Sequence, residues 1–406
     1  MTMKVRVLLV SVVVASTMWV GGCDHYTCGA TFGSATCSSS GSTGLSGGTG
    51  AGSASAYAFI DNSGEIEEMT LDTTAGTLLD TSGYTSPTVP QVEGWGMAVA
   101  QGQYLYTAFP GVGQIYGYVI SSDGTLTAIN GTPLSAPYMV GSTIGGVQNM
   151  ITNPAGTFLF VLNQAEYAVY VYSIGSGGVL AQVGSPLLLP FEPENMTTDG
   201  LGKYLYVSDV VAGDATDSIA AYSIGSTGTL TAVPGSPFTS TGLSLTYSMW
   251  QMQGESTGKY LIGTTATLLG DNHLYVLSIG SNGAITPVNG SPFITTYSPY
   301  RIAVQPSAGG DLVYSFSYNA IEGGDNPVEG YTLNTTTGVL TAMSNSPFSG
   351  AAADWGQFDQ SGTYLFAYDS ESTSMSVYNV STSSALTTPV ATVGFFNGAW
   401  SVADVP

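Results

Sequence analysis

The sequence predicts an all-β fold, a seven-bladed β-propeller with four-stranded blades, and three observations carry that expectation. A strand-rich segment recurs roughly every fifty residues along most of the 406-residue chain. Only 8% of residues are charged while aromatics reach 11%, so helix-forming Lys, Glu and Arg are scarce and core material is plentiful. The first repeat lacks its leading strand, and the last residues, "AWSVADVP" from Ala399 to Pro406, match the inner-strand start "GWGMAVAQ" of Gly94 to Gln101. The C-terminus would thus supply the inner strand of the N-terminal blade, and closure of the ring removes exposed sheet edges.

One repeat runs from Met196 to Phe238 and holds four strand-like runs: a short inner one, "YLYV", "IAAYSI" and "LTAV". Large apolar residues alternate with small ones at the period of a pleated strand. The second run recurs at Tyr57, Tyr104, Phe158, Tyr204, Tyr260, Leu312 and Tyr364, and the third around Ile66, Ile115, Val169, Ile219, Leu274, Val328 and Met375. The fourth recurs at Leu78, Leu126, Leu180, Leu230, Ile285, Leu340 and Leu386. Gly- and Asx-rich turns such as "DGLGK" and "GSTG" separate the runs. "GSPF" follows the fourth run, with its Pro just past the outermost strand, where a missing N–H costs no ladder bond.

Ahead of the repeats, residues 1–22 read as a secretory signal: Lys4 and Arg6, a Val/Leu-rich run, then small residues. Its end, Val20-Gly21-Gly22-Cys23, resembles the lipobox of bacterial lipoproteins. That resemblance implies lipidation of Cys23, a membrane anchor, and a place on the periplasmic side or the cell surface. Cys28 and Cys37 either close a disulfide loop or stay as thiols. Residues 23–55, dominated by Ser, Gly, Thr and Ala, form a tether, and residues 56–406 form the propeller.

Beyond residue 22 only Lys203, Lys259 and Arg301 are basic, against 27 acidic residues. Such a chain repels nucleic acid and favours an uncharged or cationic ligand, a glycan or a protein partner. The acids gather in the loops between second and third strands and between blades: Asp61, Glu65, Glu166, Asp209, Asp214, Asp217, Asp271, Glu322, Asp325, Asp369 and Glu371, with Glu93, Glu192 and Glu194. The opposite turns read as mostly neutral, which places acid on one rim. No cofactor is expected. Calcium at Asp209–Asp217 or Glu322–Pro327 is the alternative to solvated loop acids, although neither matches an EF-hand and no zinc spacing occurs. The propeller is expected to be a monomer.

At "GLGKYLYVSD", "YSIGSTGTLTAV" and "PGSPF" the chain resembles the lactonase-type seven-bladed propellers, relatives of 6-phosphogluconolactonase and carboxymuconate cyclase with repeats in the YVTN style. The resemblance covers about residues 56–406 and speaks for fold more than activity. Members with lactone chemistry carry "PRH" or similar at inner-strand starts. The matching positions here are Trp95, Asn149, Asn195, Trp250, Arg301, Trp355 and Trp400, so only Arg301 is cationic and none is His.

These seven form the candidate ligand site, with Trp rings stacking on a planar group and the Asn residues hydrogen-bonding; the bland alternative packs the Trp rings between blades. Arg301 either grips an anion or pairs with an acid such as Asp354. The expected function is a membrane-anchored ligand-binding or protein-interaction scaffold. The alternative is hydrolysis of a sugar lactone, in which Arg301 stabilises the oxyanion and Glu194 or Asp354 is the general base.

Overall fold

The computed structural model describes residues 56–62, 65–72, 77–80, 96–109, 114–135, 150–210, 218–245, 247–265, 271–307, 309–317, 326–381, 384–394 and 400–404. Cys23, Cys28, Cys37, Trp95, Asn149, Asp214, Asp217, Glu322 and Asp325 lie outside the described residues, and of Trp400 only the backbone is described.

The fold is an all-β propeller. Six blades are built from strands consecutive in sequence. Blade 3 shows the plan: Pro193–Thr198 innermost, then Tyr204–Asp209, Ser218–Ile224 and Leu230–Ala232, each antiparallel to its neighbour. Blades 1, 2, 4, 5 and 6 have inner strands Gly96–Ala100, Met150–Thr152, Met249–Gly254, Pro299–Gln305 and Trp355–Phe358. A further sheet joins segments far apart in sequence, in the order Thr77–Asp80, Glu65–Asp72, Ala56–Asn62, Trp400–Asp404. Ala58 lies opposite Val402 there in an antiparallel pair. Trp400–Asp404 also lies beside the inner strands of blades 1 and 6.

The "GSPF" turn does more than end a blade. The Ser–Pro bonds at Pro237, Pro292 and Pro347 are cis, and the chain doubles back so that Phe238–Thr239 pairs with the third strand, not the fourth. Each motif serine anchors the return: Ser236, Ser291 and Ser346 Oγ accept the backbone N–H groups of Ala221, Val276 and Gly330 at 2.9, 3.0 and 2.9 Å. The expectation at Leu386 needs correction. In blade 6 the outer strand is Ala391–Gly394, while Leu386 is buried in the core between blades 5 and 6. "SSALTTPV" lacks the "GSTG" hairpin of other blades, and Pro389 has no N–H to give a ladder.

Blade-to-blade contacts explain the recurring aromatic and Gly positions. Tyr106 donates its hydroxyl hydrogen to Gly178 O at 2.7 Å, and Tyr206 to Gly283 O at 3.1 Å, in each case reaching the outer hairpin of the next blade. Gly283 has a φ of +83°, and a Cβ there would lie 2.5 Å from the Tyr204 ring. Only glycine lets the hairpin close and the neighbouring aromatic pack.

Candidate active site at the inner-strand starts

Six inner strands surround a cavity of about 370 Å³ lined by Met97, Thr152, Thr198, Gln253, Gln305 and Gln357 among others. Asp359 is its one ionisable lining residue among those described, and Trp355 forms part of its wall. The inner strands are laced together by side-chain amides. Asn195 Oδ1 accepts Met252 N–H at 3.2 Å, Gln251 Oε1 accepts Ile302 N–H at 2.6 Å, and Gln253 Oε1 accepts Val304 N–H at 3.1 Å. These bonds fix the inner strands of blades 3, 4 and 5 in register with one another. Asn195, expected to meet ligand, is buried and serves this lacing.

At the start of these strands Arg301 is only 5% exposed, held between two rings. Its guanidinium carbon lies 4.3 Å from the centroid of Trp355 and 5.0 Å from that of Tyr300. Both are cation–π distances. Tyr300 in turn stacks on Trp250 of blade 4, with centroids 5.5 Å apart and planes 29° from parallel. Trp250 and Trp355 are half-buried, so they pack between blades and also keep a face toward the outside. Trp355 is shared by the cation–π stack and the cavity wall. Tyr300 was absent from the sequence expectation; an aromatic residue directly before the lone inner-strand Arg was the signal.

Two buried carboxyl groups at this end of the strands, Glu194 and Asp354, feel the charge of Arg301. Burial pushes Glu194 up from 4.5 to about 7, Glu192 adds to the rise, and the Arg301 charge pulls it back. Asp354 is also raised, first by burial, against hydrogen bonds from Ser370 and the opposing charge of Arg301, with Asp369 adding to the rise. The Ser370 N–H donates to Asp354 Oδ2 at 3.2 Å, and its hydroxyl donates to the same oxygen. The two candidate general bases, Glu194 and Asp354, and the candidate oxyanion partner, Arg301, thus lie at the same end of the inner strands of blades 3, 6 and 5.

Several acids expected as a solvated rim are instead buried and bonded. Asp209 Oδ2 accepts Ser218 N–H at 2.8 Å, Asp271 Oδ2 accepts the Thr265 and Tyr275 hydroxyls at 2.6 and 2.7 Å, and Asp369 Oδ1 accepts Asn326 Nδ2–H at 2.9 Å. His273 pairs with the other oxygen of Asp271. Glu166, Glu192 and Glu371 are the exposed members among the described residues. Of the two calcium segments, Asp209 is described and its carboxylate is taken by Ser218 and Ser248; most of both segments lies outside the described residues.

No family model matches the chain. A 6-phosphogluconolactonase of Erwinia tasmaniensis is 31% identical over 105 residues, which is 26% of this chain and 29% of that protein. The chain therefore matches less than a third of the length of that relative. The solved structure of a periplasmic gluconolactonase of Pseudomonas aeruginosa superposes with a TM-score of 0.61 at 15% identity, covering 86% of this chain and 99% of that one. A protein from Lactobacillus plantarum superposes equally, with a TM-score of 0.61 at 14% identity over 86% of this chain and 99% of its own. At such identities the likeness speaks for fold, and the resemblance to lactonase-type propellers holds in both sequence and structure.

Proposed function

We propose that the chain is a lactone hydrolase acting on a sugar-acid lactone, with its reacting groups at the inner-strand starts. The observation that carries this reading is the burial of Arg301, Glu194 and Asp354 together at the inner-strand starts, where burial also raises Glu194 to about 7. A base half-ionised near neutral pH is matched to removing a proton from water. In the reaction, water oxygen bonds to the lactone carbonyl carbon while Glu194 takes its proton. Arg301 stabilises the charge that develops on the carbonyl oxygen. The ring C–O bond then breaks, the ring oxygen leaves as a hydroxyl carrying the proton from Glu194, and the product is an open-chain acid. Asp354 holds Arg301 in place as a positioning residue. The names of the lactonases that the chain resembles support this chemistry.

A panel of sugar lactones, with spontaneous opening subtracted, tests it. Turnover that is lost in Arg301→Ala supports the reading, and no turnover of any member defeats it. The second reading, a scaffold that binds a glycan or protein, is favoured by the near-complete enclosure of Arg301 between Tyr300 and Trp355. Glycan capture that depends on Trp250 and Trp355 in a chain without lactonase turnover would decide for it.

In the same reading the propeller has seven blades, the seventh shared between the chain's two ends; the pairing of Ala56–Asn62 with Trp400–Asp404 supports this. Acylation of Cys23 and residues 23–55 as tether would hold the domain outside the cytoplasm, supported by the leader and by Val20-Gly21-Gly22-Cys23. Metabolic labelling with a fatty-acid probe, lost in Cys23→Ala, checks the anchor.

A further inference from the structure

The supply of cations limits what this site can hold. Arg301, Lys203 and Lys259 are the whole Lys and Arg complement beyond residue 22, so no loop of the propeller brings another such cation. Lys203 and Lys259 occupy the turns between first and second strands of blades 3 and 4, at the opposite ends of the inner strands from Arg301, and both are exposed. Lys259 Nζ donates to Thr335 O at 3.4 Å, on the outer hairpin of blade 5. Neither lysine lines the cavity, whose described wall is amide, hydroxyl and apolar apart from the Asp359 carboxyl.

We infer that the substrate is an unphosphorylated, uncharged aldonolactone, and that a phosphorylated sugar lactone is discriminated against; this rests on the hydrolase reading above. A phosphate ester on such a sugar is a dianion near neutral pH and is gripped by clustered Arg and Lys. With its carbonyl at Arg301, the far end of a six-carbon lactone lies about 6–7 Å away, two residues along an inner strand. From Trp355 that distance leads to Gln357 and from Arg301 to Ala303, with Asp359 and Gln305 two residues further along. Turned the other way, the phosphate would meet Glu192, Glu194, Asp354 and Asp369. Neutral hydroxyls, in contrast, suit primary amides and threonines, which can both donate and accept. The acidic surroundings also favour departure of the anionic product.

The test compares δ-gluconolactone with its 6-phosphate on the full-length chain at one ionic strength. The expected result is a kcat/KM at least about tenfold higher for the uncharged lactone. Equal or better hydrolysis of the phosphate ester would overturn this inference and leave the hydrolase reading standing. Hydrolysis of neither would remove the hydrolase reading and this inference with it. Gln357→Lys supplies the missing cation, and its preference should swing toward the phosphate ester by about tenfold. An unmoved ratio in folded Gln357→Lys protein would contradict the placement of the sugar along this wall.

Discussion

The two ends of the inner strands use the same residue type to opposite effect. At the turn end, an acid or amide closes the turn between first and second strands in blades 2, 3, 4 and 6. Asn153 Oδ1 accepts Thr157 and Phe158 N–H at 2.9 and 2.8 Å, and Asp199 Oδ1 accepts Lys203 and Tyr204 N–H at 2.6 and 2.7 Å. Glu255 Oε1 accepts Lys259 and Tyr260 N–H at 2.5 and 3.1 Å, and Asp359 Oδ1 accepts Tyr364 N–H at 2.7 Å. Among the described residues no hydrogen bond shapes the titration of Glu194 at the other end, where burial dominates and Arg301 is its cationic neighbour. Backbone donors make a carboxylate a fixed part of the fold, whereas burial beside a single cation leaves it able to trade protons. Asp199 shows the limit of the first case: its Oδ2 is buried without a partner, and burial raises it despite those bonds.

Substitutions can break that contrast, and the largest effect is expected at the arginine. Arg301→Ala should lower kcat by about 10³-fold in a lactone assay, since an oxyanion donor is lost. It should also move the pH midpoint of activity above 7, because the charge holding Glu194 down is gone. Glu194→Gln should lower kcat by roughly 10²-fold or more. Its stability should behave in the reverse sense. The folded protein keeps the Glu194 proton up to about pH 7, whereas the group ordinarily releases it near 4.5, so native stability falls as pH rises between those values. Relief of that penalty, roughly 3 kcal/mol at most above pH 7, is absent below pH 4. Urea unfolding of both proteins at pH 4 and pH 8 reads the difference.

At the turn end the signs change. Glu255→Ala strands the N–H groups of Thr257, Lys259 and Tyr260. It should cost about 3 kcal/mol of stability with kcat unchanged. Asp359→Asn should cost less than about 1 kcal/mol by denaturant titration, because an amide still accepts the Tyr364 N–H. Blade 2 already uses Asn153 at the matching turn.

The sequence made the blades legible because strand period, hairpin glycines and aromatic anchors are local. Tyr206 and Gly283 stand out by recurrence, and the structure adds only that they belong to neighbouring blades. The double-back of "GSPF" was hidden, since the partner of Ser236 is an N–H fifteen residues earlier, on the third strand. The candidate site was legible in part. Arg301, Glu194 and Asp354 could be nominated by scarcity and position, but they come from three blades and no short-range pattern encodes their electrostatic coupling. The acid-rich loops misled for a related reason: spacing gives the loop, not whether Asp209, Asp271 or Asp369 turns inward to meet a hydroxyl or an amide. Asn195 misled likewise, because its partner Met252 belongs to the next blade.

The pH dependence of lactone hydrolysis, measured as kcat/KM from pH 5 to 9 on the full-length chain and on Glu194→Gln, tests the central claim most directly. The account predicts a rise with a midpoint near 7 that disappears with the carboxyl. A profile that is flat in the native chain, or that survives unchanged in Glu194→Gln, would contradict it.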